Sequence, residues 1–334
     1  MKTLKYFTIL AVLGLTACTQ NEIGAPELNE VGFNAVVRKN TKAIISGTTF
    51  NDDLKFKVWG FYTKKGDFSD VATDAAPNFM KGVEISYLAD EAKWRNATNH
   101  YYWPNQGKVG FYAFYPETLT PDFKWGTGAT IADYTLSSNN QLVDMMYAYN
   151  VGPVQDALPM VFNHALSQIE FRYQTNDTYA DAIVKINSIT FKNVDLTADF
   201  NHNNSLATPT AGWSKNTDQT SDYSYYAQPS AAAIETVQGS QAATYGEPLL
   251  FIPQTASTAE LVFTVSMHYT DDIEYTTTIN LNPETSAAAN ATTGSWELGK
   301  KYIYTLNFKL DEINFAPSIN DWVEVQVSTI DITE

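Results

Sequence analysis

Residues 54–62 read Leu-Lys-Phe-Lys-Val-Trp-Gly-Phe-Tyr. In an extended chain Leu54, Phe56 and Val58 fall on one face, and Lys55, Lys57 and Trp59 on the other. A period of two marks a half-buried strand. The pattern spreads outward from here. Upstream lies Val31–Arg38; downstream lie Lys108–Tyr115, Val143–Tyr149 and Met160–Tyr173. Lys108–Tyr115 is so aromatic that both of its faces are expected to be covered. Further on, Ile183–Val194, Glu260–Tyr269, Ile273–Asn282, Tyr302–Leu310 and Trp322–Ile332 read the same way. Gly, Pro, Asn and Asp separate these runs, and no long segment repeats near 3.6 residues. The expected fold is all-β, built as two sandwiches. Asp90–Asn99 reads as one or two helical turns, and Ala198–Thr244 as long loops with one hairpin. A polar stretch at Asn150–Ala157 places the domain boundary near residue 160.

The N-terminus reads as an export signal. Lys2 and Lys5 precede a charge-free run, Tyr6–Ala17, that ends on Leu15-Thr16-Ala17-Cys18. The run is shorter than the roughly 20 residues of a membrane-spanning helix and has the size of a signal-peptide core. Residues 1–17 are expected to be removed and Cys18 to carry the lipid. Two or three acyl chains at about 0.8 kcal/mol per buried CH₂ anchor a protein firmly. Residues 18–30 read as a polar tether, 31–159 as the first domain and 160–334 as the second.

Composition narrows the function. The chain has 334 residues, a net charge of −16 and a single cysteine. Loss of Lys2 and Lys5 takes the charge to −18. Such a surface repels phosphate, so nucleic acid is not an expected partner. With one cysteine, no internal disulfide forms. The 20 Tyr, 18 Phe and 7 Trp favour strands.

Catalytic patterns are missing. The four histidines, His100, His164, His202 and His268, show no metal-ligand spacing. No GxSxG, P-loop or GxGxxG-after-strand is present. The sequence therefore points to no enzyme, no cofactor and no metal. His164, in Phe162-Asn163-His164-Ala165-Leu166, reads as a packed structural residue, and Asp271-Asp272 as a hairpin turn. His100-Tyr101-Tyr102-Trp103-Pro104 and Phe111-Tyr112-Ala113-Phe114-Tyr115-Pro116 read mainly as core, with sugar stacking as the competing use.

A set of ordered motifs resembles the fimbrillin family, the shaft and accessory subunits of type V pili. They are Phe33-Asn34-Ala35 with Asn40-Thr41-Lys42-Ala43, then Val58-Trp59-Gly60-Phe61-Tyr62, Tyr102-Trp103-Pro104, and Val109-Gly110-Phe111-Tyr112-Ala113-Phe114-Tyr115-Pro116. Asp144-Met145-Met146-Tyr147-Ala148, Val161–Phe171, Leu250-Phe251-Ile252-Pro253-Gln254-Thr255 and Gly299–Tyr304 follow. The resemblance implies two transthyretin-like β-sandwich domains in tandem and export as a lipoprotein to the outer membrane. It also implies a trypsin-like protease that cuts after a basic residue and releases the first strand. The partners it implies are other pilus subunits, joined by donor-strand exchange in a fimbrium at the cell surface.

The residues that would carry this are visible in the sequence. Val31–Val37 reads as an edge strand followed at once by Arg38, with Lys42 in a loop just beyond. Either Arg38 or Lys42 is the expected cut. Where many relatives have Thr-Arg-Ala, this chain has Thr41-Lys42-Ala43. At the other end Val323, Val325 and Val327 alternate with polar residues, and Ile330 and Ile332 continue after a one-residue slip. These five are the donor-strand candidates, although an ordinary last strand reads the same way. The competing function is a lipid-anchored outer-membrane glycan-binding protein.

Overall fold

The structure is a computed structural model that describes residues 29–40, 47–64, 67–68, 71–72, 74–136, 143–152, 157–175, 183–203, 210–215, 221–225, 243–256, 259–268, 272–281, 294–308 and 313–320. The described elements are strands throughout, as expected for an all-β chain.

The first ten are β1 (Phe33–Asn40), β2 (Gly47–Thr49), β3 (Phe56–Tyr62), β4 (Met80–Leu88), β5 (Lys93–Arg95), β6 (Val109–Tyr115), β7 (Asp122–Lys124), β8 (Gly128–Thr135), β9 (Met146–Gly152) and β10 (Leu158–His164). The order β10-β9-β6-β3-β4-β5-β1 closes on itself, because β1 also pairs with β10; β2 hangs on β1. Seven strands thus form a barrel-like ring. Closure comes from a parallel ladder running from Phe33↔Leu158 to Val37↔Phe162. Along its other edge β1 meets Trp94 of β5 at Phe33, and β2 at Val36 and Asn40. The expected edge strand is therefore paired on both sides. Ring closure removes the exposed edge that an open sheet would leave.

Strict alternation divides the side chains of the ring. Phe33, Ala35 and Val37 of β1, Phe56 and Val58 of β3, Phe111 and Ala113 of β6, and Met160 and Phe162 of β10 fill the interior with Phe50, Trp94 and Trp103. The opposite faces of β3 and β6 carry Trp59, Phe61, Tyr112 and Phe114, which belong to a second core. Both faces of β6 are indeed covered.

The remaining strands are β11 (Ser167–Thr175), β12 (Ile183–Val194), β13 (Thr197–Asn203), β14 (Thr210–Ser214), β15 (Ser221–Tyr225), β16 (Ala243–Phe251), β17 (Gln254–Thr255), β18 (Glu260–His268), β19 (Asp272–Asn280), β20 (Ser295–Trp296), β21 (Lys301–Phe308) and β22 (Ile313–Asn320). A four-stranded sheet, β14-β13-β8-β7, takes strands from both sides of residue 160. It covers the outer face of the ring: Phe123 lies 5.0 Å from Trp59, and Trp125 stacks on Phe68 at 4.6 Å. Two more sheets, β16-β11-β21-β22 and β15-β12-β18-β19, use only strands after residue 160. They meet where Phe191 of β12 packs on Phe251 of β16 at 4.6 Å and on Phe171 of β11 at 5.8 Å. β10, which spans residue 160, belongs to the ring.

Two local expectations are corrected. Asp90–Asn99 holds a turn and β5 in place of helix, because Trp94 is drawn into the barrel core. Among its described residues, Ala198–Thr244 holds β13 and β14, which pair as the expected hairpin, and adds β15 and the start of β16. In β13, Ala198, Phe200 and His202 point inward, and the outward residues are polar. The polar outer face bonds to itself across strands: Thr130 donates to Asn201 and Asn201 donates to Ser214. A segment with that composition reads as loop until its partners are known.

Candidate functional site

The residues expected to carry function converge on β1. Its head is fixed by backbone and by charge. Val31 N–H donates to Tyr101 C=O at 2.7 Å, and Trp103 N–H to Asn29 C=O at 2.9 Å. Glu30 and Tyr102 therefore face one another in an isolated antiparallel bridge. The Glu30 carboxylate lies 2.7 Å from His100 Nδ1 and 3.7 Å from Arg95 Nε. Arg95 also grips Glu91 through Nε and Nη2, and donates Nη1–H to Asn96 C=O. The bond to Glu91 raises the already high Arg95 pKa and lowers that of Glu91. Glu30 and Arg95 do not stand out in the sequence, and His100 does so only within the aromatic run 100–104. They meet because β5, which ends at Arg95, and the segment at 100–103 both flank the start of β1.

The inward residues of β1, and Val31 just before it, are apolar and deeply buried. Val31, Phe33, Ala35 and Val37 are each at most 3% exposed. Phe33 packs edge-on against Phe111 at 5.2 Å and Phe56 at 6.3 Å. Burying these four side chains contributes about 5–10 kcal/mol gross. The alternate residues Asn34 and Arg38 are exposed.

The tail of β1 carries the first cut candidate. Arg38 lies inside the strand, which runs on to Asn40, and not in a loop after it. Its side chain is exposed and donates from Nη1 to Asn163 Oδ1 on β10 at 3.3 Å. The other cut candidate, Lys42, falls between β1 and β2, outside the described residues. So do Cys18 and the donor candidates Val323, Val325, Val327, Ile330 and Ile332. The last described strand, β22, lies at the edge of its sheet, antiparallel to β21, and ends at Asn320.

Other polar groups serve the fold. His164 pairs with Asp144, both buried. Lys301 and Arg172 both bond to Glu170 beneath the parallel β11–β21 ladder. Burial alone would raise the Glu170 carboxyl; the two cations outweigh it and hold its pKa below the usual value. Gln254 clamps the turn after β12, accepting from Asp195 N–H at 2.6 Å and donating to Asp195 C=O at 3.1 Å. His202 sits among the rings of Tyr112, Phe114, Tyr147 and Tyr149, and burial pushes its pKa down to about 4. Among the described residues no three His, Cys, Asp or Glu side chains gather as a metal site. Of the two aromatic clusters, Phe111, Tyr112, Ala113, Phe114 and Trp103 are core, and Tyr102 presents an exposed ring beside His100.

A family model described as fimbrillin-like matches residues 41–322. The chain belongs to the fimbrillin-like family. Its match begins just past β1 and Arg38 and runs to within the tail that follows β22. Solved structures share the fold at low identity. A fimbrial protein from Bacteroides vulgatus is 17% identical with a TM-score of 0.58, over 88% of this chain and 100% of that one. A candidate cell adhesion protein from Bacteroides uniformis is 17% identical with a TM-score of 0.54, over 88% and 99%. A second candidate cell adhesion protein, from Bacteroides ovatus, is 15% identical with a TM-score of 0.54, over 90% and 99%. No curated protein matches the chain.

Proposed function

We propose that this fimbrillin-like chain is a structural subunit of a cell-surface pilus. It is exported to the outer membrane as a lipoprotein anchored at Cys18, and a trypsin-like protease then cuts after Arg38 or Lys42. The cut frees the lipid together with β1. An extended segment of another subunit, residues 321–334, fills the vacated place, and repetition builds the fibre. In this reading the lipid is a delivery tag.

The observation that carries the proposal is the position of β1. It closes the ring between β10 and its neighbours β5 and β2, and three of its residues, with Val31 just before it, line the core. Withdrawing it would expose two rows of unpaired backbone groups and an apolar groove, a strong template for another strand. A donor burying four or five of its apolar side chains gains roughly 6–15 kcal/mol gross. The proposed division into two transthyretin-like sandwich domains, 31–159 and 160–334, is supported by the two sheets that use only strands after residue 160.

The test is limited trypsin treatment of the mature chain. A discrete cut at Arg38 or Lys42, followed by a ladder of oligomers on a gel, supports the reading. Arg38→Ala with Lys42→Ala, in a Lys39→Ala background that removes the neighbouring trypsin site, should abolish the ladder and leave the fold intact, and deletion of residues 321–334 should also stop growth. Fibres from either variant would sink the mechanism. An intact monomer retarded on a glycan gel would favour the glycan-binding alternative.

A further inference from the structure

We propose that Arg95 and His100 form a carboxylate receptor at the head of the β1 groove, and that Glu324 of a second copy takes Glu30's place there and so sets the register of the incoming strand. The inference rests on the pilus-subunit reading.

Arg95 and His100 lie on segments that stay with the body when residues before the cut leave. Glu30 leaves with β1. Its departure removes the carboxylate that His100 Nδ1 holds at 2.7 Å and takes one of two carboxylates from Arg95. The same departure strips the partners from Tyr101 C=O and Trp103 N–H. What remains is a short backbone ladder site flanked by the Arg95 guanidinium and the His100 imidazole. It fits an extended strand whose carboxylate faces Tyr102, with the residue before it accepting from Trp103 and the residue after it donating to Tyr101. Charge-assisted contacts at such a point fix register more than they add affinity.

The tail of the chain offers two registers that differ by two residues. The first inward position, held now by Val31, goes either to Val323 or to Val325. With Val323 inward, Trp322 falls at the receptor. With Val325 inward, Glu324 falls there, and Glu324-Val325-Gln326-Val327 repeats the order Glu30-Val31-Gly32-Phe33 in the same direction. A one-residue bulge at Ser328–Thr329 then brings Ile330 and Ile332 to the places of Ala35 and Val37. The donor in this register runs parallel to β10, as β1 does.

Disulfide trapping reads the register directly. Glu30 and Tyr102 are a non-hydrogen-bonded antiparallel pair, whose Cα atoms lie about 4.5 Å apart, within disulfide range. The only native cysteine, Cys18, leaves with the cut segment. In the proposed register Val327 takes the place of Phe33 opposite Trp94, so full-length chains carrying Trp94→Cys with Val327→Cys, which keep Glu324, should run as covalent ladders on a non-reducing gel when cut and assembled under mild oxidation. Chains with Tyr102→Cys and Trp322→Cys should not. Covalent ladders through Trp322→Cys, or through neither position, overturn the proposed register. Separately, Glu324→Lys should slow assembly at least about tenfold, since it sets like charges together; an unchanged rate overturns the receptor. If the unsubstituted chain forms no ladder at all, the pilus-subunit reading has failed first, and that lane shows it.

Discussion

Cleavage after Arg38 requires β1 to lift, so loosening the strand at that point should speed the cut. Arg38 is exposed, but the residues just before it are held on both sides: β1 pairs with β10 as far as Val37 and with β2 at Val36 and again at Asn40. A trypsin-like enzyme takes its substrate extended and cannot bind a strand that is paired on both edges. The cut then proceeds from an opened state, and its rate follows the opening equilibrium. Lifting Arg38 must draw Val37 out of the core, where it is 2% exposed. Val37→Ala removes two buried carbons and leaves a small cavity, at a cost of about 1.5–3 kcal/mol. Each 1.4 kcal/mol is tenfold, so cleavage should accelerate about 10–100-fold. The assay is timed trypsin digestion in a Lys39→Ala, Lys42→Ala background, followed by mass spectrometry of the product beginning at residue 39. Phe191→Ala, a cavity in the other half of the chain, is the control and should leave the rate near its starting value. An unchanged rate for Val37→Ala would refute the reasoning, because the bond would then be cut with β1 in place.

Three further outcomes follow from the packing. His202 has a folded pKa of about 4 against an ordinary 6.5, so its neutral form is favoured on folding; stability is full above about pH 6.5 and falls as pH drops toward 4. Acidification to pH 4.5 should cost about 2–3 kcal/mol through this residue, and urea unfolding should show His202→Phe losing correspondingly less between pH 7 and 4.5. Lys301→Met alone leaves the Glu170 carboxylate short of a buried cation and should cost about 3–5 kcal/mol; Lys301→Met with Glu170→Gln should recover much of that in the same assay. Gly128 opens β8 at φ +82, and a Cβ there would meet His202 C=O at 2.0 Å. Gly128→Ala should lower the melting temperature through a loss of at least about 2 kcal/mol.

The strands were legible where alternation was clean. Phe56 and Val58 point inward and Trp59 and Phe61 outward, as 54–62 implies, and the two-faced aromatic load of Lys108–Tyr115 announced a strand covered on both sides. Ring closure was not legible. A parallel ladder between Phe33 and Leu158 joins segments about 125 residues apart, and neither carries a mark of the other. For the same reason Val31–Val37 read as an edge strand. The strand runs two residues past Arg38, where the apolar alternation stops, because Asn40 pairs with Gly47. The places of β13 and β14 were hidden by the polarity of their outer face. Glu30, Arg95 and His100 were invisible as a group, because ordinary surface charges 65 and 70 residues apart acquire meaning only when the fold brings them to one end of β1.

The central claim is that β1 is discarded and replaced. The most direct measurement is the N-terminal residue of the chain in fibres taken from the cell surface, read by mass spectrometry. The account predicts Lys39 or Ala43, without lipid. Fibres built from chains that still begin at a lipid-modified Cys18 would contradict it.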